Sequence, residues 1–183
     1  MLKYKKNTKM KFMKITFALI FFSTFLFSSA FAQDKSKRKS PPMKAETNLK
    51  GGNVKIEYGA PSTRGREVWG KLVPYNKIWR TGANEATTFE IEKDVEIDGK
   101  LLKAGKYALF TIPDANEWTI IFNSNPNQWG AYNYDPELDV LRVKVKPTAS
   151  KTPHDQFKVD ISKKGEVRIF WDKLAVPFEV KAI

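Results

Sequence analysis

Phe89-Glu90-Ile91-Glu92-Lys93-Asp94-Val95-Glu96-Ile97-Asp98-Gly99-Lys100-Leu101-Leu102 decides the fold class of this chain. Phe89 and Ile91 alternate with Glu90 and Glu92, and Val95 and Ile97 flank Glu96. A period of two puts one apolar and one polar face on an extended strand. Asp98-Gly99 between two such runs is a two-residue hairpin signal, because both residues tolerate the positive φ that the favoured tight turns require.

The same pattern continues in both directions. Upstream, Val54, Ile56 and Tyr58 alternate with Lys55 and Glu57. Downstream, Tyr107–Ile112 and Trp118–Phe122 are apolar on both faces, which predicts central strands. Leu141, Val143 and Val145, then Phe157, Val159 and Ile161, then Val167, Ile169 and Trp171 alternate with charged neighbours, and Val176, Phe178 and Val180 follow. The spacing predicts an all-β domain: an antiparallel β-sandwich or flattened barrel of about 8–10 strands. Ile56, Phe89, Leu109, Ile120, Val143, Val159 and Ile169 are its expected core. Two segments break the pattern. Residues 66–73 suggest one or two short helical turns, and 125–139 reads as a polar, aromatic loop.

The N-terminal 50 residues have a different composition. Lys3, Lys5, Lys6, Lys9, Lys11 and Lys14 precede an apolar run from Ile15 to Phe27, and Ala30-Phe31-Ala32 follows. That order is a secretory signal peptide over residues 1–32, which implies an exported protein, periplasmic or extracellular. The apolar run is too short to span a bilayer, and no membrane anchor is expected to remain after cleavage. Residues 33–50 are rich in Lys, Ser and Pro and read as a flexible basic linker. Residues 51–183 then form the single domain. The formal net charge of +12 shrinks to about +2 over that domain once leader and linker are set aside. The basic balance is therefore no argument for nucleic acid, and none is expected as a partner. The chain has no cysteine, so neither a disulfide nor a lipidated cysteine contributes.

Chemistry is scarce by type. One histidine, His154, in a stretch that reads as an exposed turn, gives no zinc cluster and no serine-type triad. Asn133, Asp135, Glu137 and Asp139 alternate without calcium-loop spacing and read as an acidic surface loop. No metal and no cofactor is expected, and no catalytic residue is assigned. The dense stretch is Trp79-Arg80-Thr81-Gly82-Ala83-Asn84-Glu85-Ala86-Thr87-Thr88. Outside leader and linker the chain has five arginines, and three of them, Arg64, Arg66 and Arg80, fall within 17 residues. Arginine suits planar, bidentate recognition of oxyanions. The expected ligand-binding set is Arg64, Arg66, Arg80, Asn84, Glu85 and Thr87, with Trp129 and Tyr132 as an aromatic wall. The competing reading is a closed Arg80–Glu85 ion pair in a structural corner.

One further set of motifs carries a resemblance. Tyr58-Gly59-Ala60-Pro61-Ser62-Thr63-Arg64-Gly65-Arg66, Trp69-Gly70-Lys71-Leu72-Val73-Pro74-Tyr75, Trp79–Thr88 and Ala104-Gly105-Lys106-Tyr107 occur in that order. From about Asn53 to Val180 the chain resembles domain of unknown function 2911, found in secreted proteins of Bacteroidota and relatives. The resemblance implies a secreted, β-rich domain and brings no activity. The expectation is an exported, non-enzymatic β-sandwich that binds a small polar or anionic ligand. The alternatives are a hydrolase using Glu85 as base and a scaffold that binds a partner. The pattern leaves the oligomeric state open.

Overall fold

The computed structural model describes residues 37–183. The leader and the start of the linker lie outside the described residues. Ten strands run in chain order: β1 (Pro42–Leu49), β2 (Gly52–Gly59), β3 (Thr87–Ile91), β4 (Val95–Ile97), β5 (Lys100–Leu102), β6 (Gly105–Ile112), β7 (Trp118–Asn123), β8 (Asp139–Val145), β9 (Thr148–Ile161) and β10 (Glu166–Ala182). They form two antiparallel sheets, ordered β1-β2-β3-β6-β7-β8 and β5-β4-β10-β9. Edge strand β1 approaches β9 and edge strand β8 approaches β5, so the sheets stack as an open sandwich rather than closing into a barrel.

Alternation explains the packing. Val54, Ile56, Phe89, Ile91, Leu109, Ile120, Phe122 and Val143 point inward from the six-stranded sheet against Phe157, Val159, Val167, Ile169, Trp171 and Phe178 of the other. All seven expected core residues are buried. The Asp98-Gly99 turn joins β4 to β5 with φ of 46° and 79°, the primed geometry its residues favour. Strands β6 and β7 are central and are buried on both faces. Ala108, Phe110 and Ile121 make a second apolar cluster on the outer face with Ala86, and Ile78, Ala131 and Tyr134 pack against it.

Three expectations change. Within the expected flexible linker of residues 33–50, Pro42–Leu49 form strand β1, which pairs with β2 along its whole length, from Pro42↔Gly59 to Leu49↔Gly52. Its Lys and Pro content is what an exposed edge strand carries, and the stabilising partner is the backbone of β2. Residues 66–73 are not helical. They form a wide turn closed by Leu72 N–H to the Glu67 carbonyl and Val73 N–H to the Val68 carbonyl, with Gly70 at φ 80°. The helical element among the described residues is a 3-10 turn, Pro136–Leu138, capped by the Asp135 carboxylate. His154 lies inside β9 rather than in a turn, its ring 4.8 Å from that of Phe170.

Candidate functional site

The site begins with the outer face of the six-stranded sheet. Register places Lys44, Glu57, Thr88, Ala108 and Asn123 in one row across β1, β2, β3, β6 and β7. The neighbouring row is Glu46, Lys55, Glu90 and Lys106, alternating in sign. Those charges pair with one another: Lys55 to Glu90 at 2.9 Å, and Lys106 to Glu57 and Glu90 at 3.6 and 3.5 Å. The Glu90 carboxyl is held below its ordinary value, first by its hydrogen bond from Lys55. Lys55 is raised above its own by the same bond. The ionic part of this face is therefore internally neutralised.

The aromatic loop folds over the rest of the face and is bolted down. Asn123 donates through Nδ2 to the Asp135 carbonyl and to Asp139 Oδ1 at 2.9 and 2.8 Å. The Tyr134 hydroxyl donates to Asp139 Oδ2 at 2.6 Å and accepts from Arg142 at 2.8 Å. The Tyr134 ring sits edge-on to Phe110 at 5.0 Å. Burial, then the Asp139 hydrogen bond, pushes the Tyr134 phenol up to about 12. The stretch around Gln128 pairs with the 84–86 stretch: Ala86 N–H donates to the Gln128 carbonyl and Gly130 N–H to the Asn84 carbonyl.

The other wall is the segment that precedes β1. One Arg38 nitrogen, Nη1, bridges both oxygens of Glu85 at 3.0 and 2.7 Å. The guanidinium carbon of Arg38 lies 5.7 Å from the centre of the Trp129 ring. Asn84 Nδ2 donates to the Ser40 carbonyl at 3.0 Å, Arg64 to the Lys39 carbonyl at 2.9 Å, and Ala60 N–H to the Pro41 carbonyl at 2.9 Å. Between this wall and the loop lies an open groove of about 680 Å³, floored by Glu57, Thr88 and Lys106 and rimmed by Arg38, Lys44 and Trp129. The volume is in the range of small-molecule sites.

Two polar atoms belonging to groove-lining side chains have no hydrogen-bond partner, Thr88 Oγ1 and Gln128 Oε1. Gln128 is only 6 % exposed, and its amide nitrogen is fixed by donation to the Asn125 carbonyl at 2.7 Å. An unpaired buried oxygen costs about 1–3 kcal/mol. Trp129 stands at the rim, 54 % exposed.

The expected site residues divide. Asn84, Glu85 and Trp129 line the groove. Arg64 and Arg66 do not: the first holds Lys39 and the second folds onto the Ser62 and Thr63 carbonyls. Thr87 is fully buried, its hydroxyl donating to the Thr81 carbonyl at 2.6 Å, so it builds the corner beneath the site. Tyr132 is 84 % exposed and lies outside the groove lining. Arg80 does not pair with Glu85. It is half-buried, its Nε is enclosed without a partner, and burial holds it below the ordinary arginine value while Tyr132 acts in the opposite direction. Arg64, Arg66 and Arg80 do not gather around one pocket, and the groove lies on an outer sheet face. Arg38, Thr88 and Gln128 were missed. Thr88 and Gln128 stand in the two polar stretches already singled out, whereas Arg38 is 47 residues from its partner and carries no local signal.

The corner depends on close backbone approach. A Cβ on Gly59 would meet the Ala83 carbonyl oxygen at 2.2 Å, and one on Gly82, at φ 150°, would meet the Gly59 oxygen at 2.9 Å. Ala83 N–H donates to the Gly59 carbonyl at this contact. Glycine at 59 and 82 thus lets the 79–88 stretch lie directly on the end of β2. Among the described residues no group of three His, Asp or Glu side chains is placed to hold a metal ion.

A comparison with protein-family models matches residues 40–180 to a family described as "Protein of unknown function (DUF2911)". Neither the curated proteins nor the solved structures contain a match. With the match covering both sheets, the 79–88 corner and the loop above the groove, this chain belongs to the DUF2911 family.

Proposed function

We propose that this chain is an exported, non-enzymatic binding domain whose groove takes a small, uncharged, hydroxyl-rich ring, the chemistry of a mono- or disaccharide. The observation that carries the reading is a half-exposed indole, Trp129, on the rim of a groove whose lining also carries the amides of Asn84 and Asn127. An indole face stacks on the apolar face of a ring, and the amides of the lining that reach solvent, Asn84 and Asn127, pair with hydroxyls. Neutrality follows from the charges: Arg38 is satisfied by Glu85, and Lys106 by Glu57 and Glu90, so the floor offers an anion no uncompensated cation. The hydrolase reading is weaker for the same reason, since both Glu85 oxygens already accept from Arg38. Export rests on the lysine-rich, apolar and Ala-x-Ala order of residues 1–32, which lie outside the described residues.

The test is an amide-resolved NMR titration with a panel of neutral mono- and disaccharides. The expected result is saturable shifts of the Asn84 and Gln128 side-chain amides and of the Trp129 indole N–H, with the core indoles unmoved. A panel that leaves those three signals in place defeats the reading.

A further inference from the structure

Arg38 belongs to the wall before β1, yet its guanidinium carbon lies 5.7 Å from the centre of the Trp129 ring on the opposite wall. Both side chains line the groove, so the indole face that Arg38 covers is the groove-side face. Glu85 and Trp129 pair across an isolated bridge, fixed by Gly130 N–H to the Asn84 carbonyl and Ala86 N–H to the Gln128 carbonyl. Arg38 therefore lands on a carboxylate and an indole held side by side, with Nη1 2.7 Å from Glu85 Oε2. Two further contacts hold the segment: Asn84 Nδ2 to the Ser40 carbonyl at 3.0 Å and Arg64 to the Lys39 carbonyl at 2.9 Å. Both are polar, and no residue from 37 to 41 joins either apolar cluster. Firm attachment begins at Pro41, whose carbonyl accepts from Ala60 N–H and extends the β1–β2 ladder by one bond. Pro41-Pro42 fixes φ at two successive residues, which places the pivot of residues 37–40 just ahead of Pro41.

We propose that residues 37–40 are a releasable strap: Arg38 covers the Trp129 face and lifts away when a ring stacks there. The displacement rests on the reading of the groove as a site for a small neutral ring. A guanidinium and a sugar ring stack on an indole through the same surface, so one face takes one of them at a time. Release costs polar contacts and one half-screened ion pair, and it exposes no apolar core. The incoming ring replaces what leaves. Its apolar face takes the indole, and a hydroxyl takes the Asn84 amide hydrogen that the Ser40 carbonyl had accepted. Apparent affinity is then the intrinsic affinity reduced to the fraction of chains whose strap is lifted. Salt screens the Arg38–Glu85 attraction and leaves the contacts of an uncharged ligand untouched. A neutral sugar should therefore bind more tightly as ionic strength rises, which is the reverse of what a ligand held by charge shows.

The test follows the Arg38 Nε–H signal of the parent chain in ¹H–¹⁵N spectra, with sodium chloride, glucose, maltose and cellobiose as probes. Without sugar, stacking over Trp129 should displace that signal upfield by ring current. Raising sodium chloride to about 1 M, where the screening length is roughly 3 Å, should return it towards the position of a solvated arginine. Glu85→Gln should do the same at low salt. A signal at the solvated position from the outset, or one that ignores both salt and Glu85→Gln, overturns the strap whether or not a sugar binds. Saturation with the tightest of the three sugars should also return the signal. Arg38→Gln should bind that sugar about threefold or more tightly at low salt, and should lose the gain that salt gives the parent. Weaker or equal binding by Arg38→Gln, or an Arg38 signal that stays in place at saturation, overturns the proposal and leaves the groove reading standing. If no sugar binds the parent or Arg38→Gln, the groove reading falls instead. The salt response of the sugar-free chain then decides the strap by itself.

Discussion

Arg38 Nη1 lies 3.0 and 2.7 Å from the two carboxylate oxygens of Glu85, across 47 residues of sequence. This pair takes the place of the Arg80–Glu85 contact that proximity in sequence suggests. It also makes the segment before β1 a wall of the groove. The Arg38 side chain is 15 % exposed and that of Glu85 44 %, so the pair is half-screened by water. A double-mutant cycle with Arg38→Ala and Glu85→Gln should give a coupling of about 1 kcal/mol, the upper range for exposed pairs. A coupling indistinguishable from zero would show that the contact contributes nothing in solution.

Strand β1 should be indispensable. Its eight residues pair with β2, and Leu49 is buried in the core. Each ladder bond contributes about 1 kcal/mol net, and 1 kcal/mol shifts Tm by roughly 2–8 °C in a domain of this size. A chain beginning at Leu49 should therefore melt about 10 °C or more below one beginning at Gln33. Melting within two or three degrees of the longer chain would mean that the strand adds no stability.

Gly59→Ala should cost about 1–3 kcal/mol, because the added methyl collides with the Ala83 carbonyl and there is no flexible side chain to yield. Gly65→Ala is the control. No atom lies within 4 Å of the new methyl there, so its cost comes from the positive φ of 71° alone and should be smaller. Equal losses in urea denaturation would remove the steric explanation for glycine at 59.

Tyr134 gives the fold a sensitivity to alkali. Its phenol is pushed up to about 12 from an ordinary value near 10. Between those values the unfolded chain releases the proton while the folded chain keeps it. Stability from this group is thus complete below pH 10 and is lost as pH rises toward 12. Tyr58 and Tyr107 are raised as well, so the diagnostic is a difference. Tyr134→Phe should flatten the decline in unfolding free energy over that window, and an unchanged slope would show that the Asp139–Tyr134–Arg142 bolt does not form.

Most of the architecture was legible because alternation is a local signal. Val54-Lys55-Ile56-Glu57-Tyr58 and Phe89-Glu90-Ile91 predict both their strands and their buried faces, and the doubly apolar β6 and β7 sit centrally under the second cluster. Strand β1 was illegible for a physical reason. Met43-Lys44-Ala45-Glu46 earns its extended conformation from the backbone of β2, and an edge strand needs no apolar face to do so. The polar stretch Trp79–Thr88 is the hydrogen-bonded corner its composition suggests. What composition does not specify is where each long side chain turns. Arg64 bonds to the Lys39 carbonyl and Arg66 to carbonyls of its own turn, and the Arg80 Nε is enclosed without a partner. Thr81 and Thr87, equally polar in sequence, are consumed internally, Thr81 bonding to Thr111 and Thr87 to Thr81.

The central claim is that the groove beneath Trp129 binds a small neutral ring. Its most direct test is calorimetric titration of the tightest saccharide from the panel into the parent chain and into Trp129→Ala. Loss of a stacked indole removes about 1–3 kcal/mol, so affinity should fall about fivefold or more. Because Trp129 is half-exposed and outside both cores, melting should stay within a few degrees. Affinity unchanged in Trp129→Ala, or no heat of binding in the parent chain, would contradict the account.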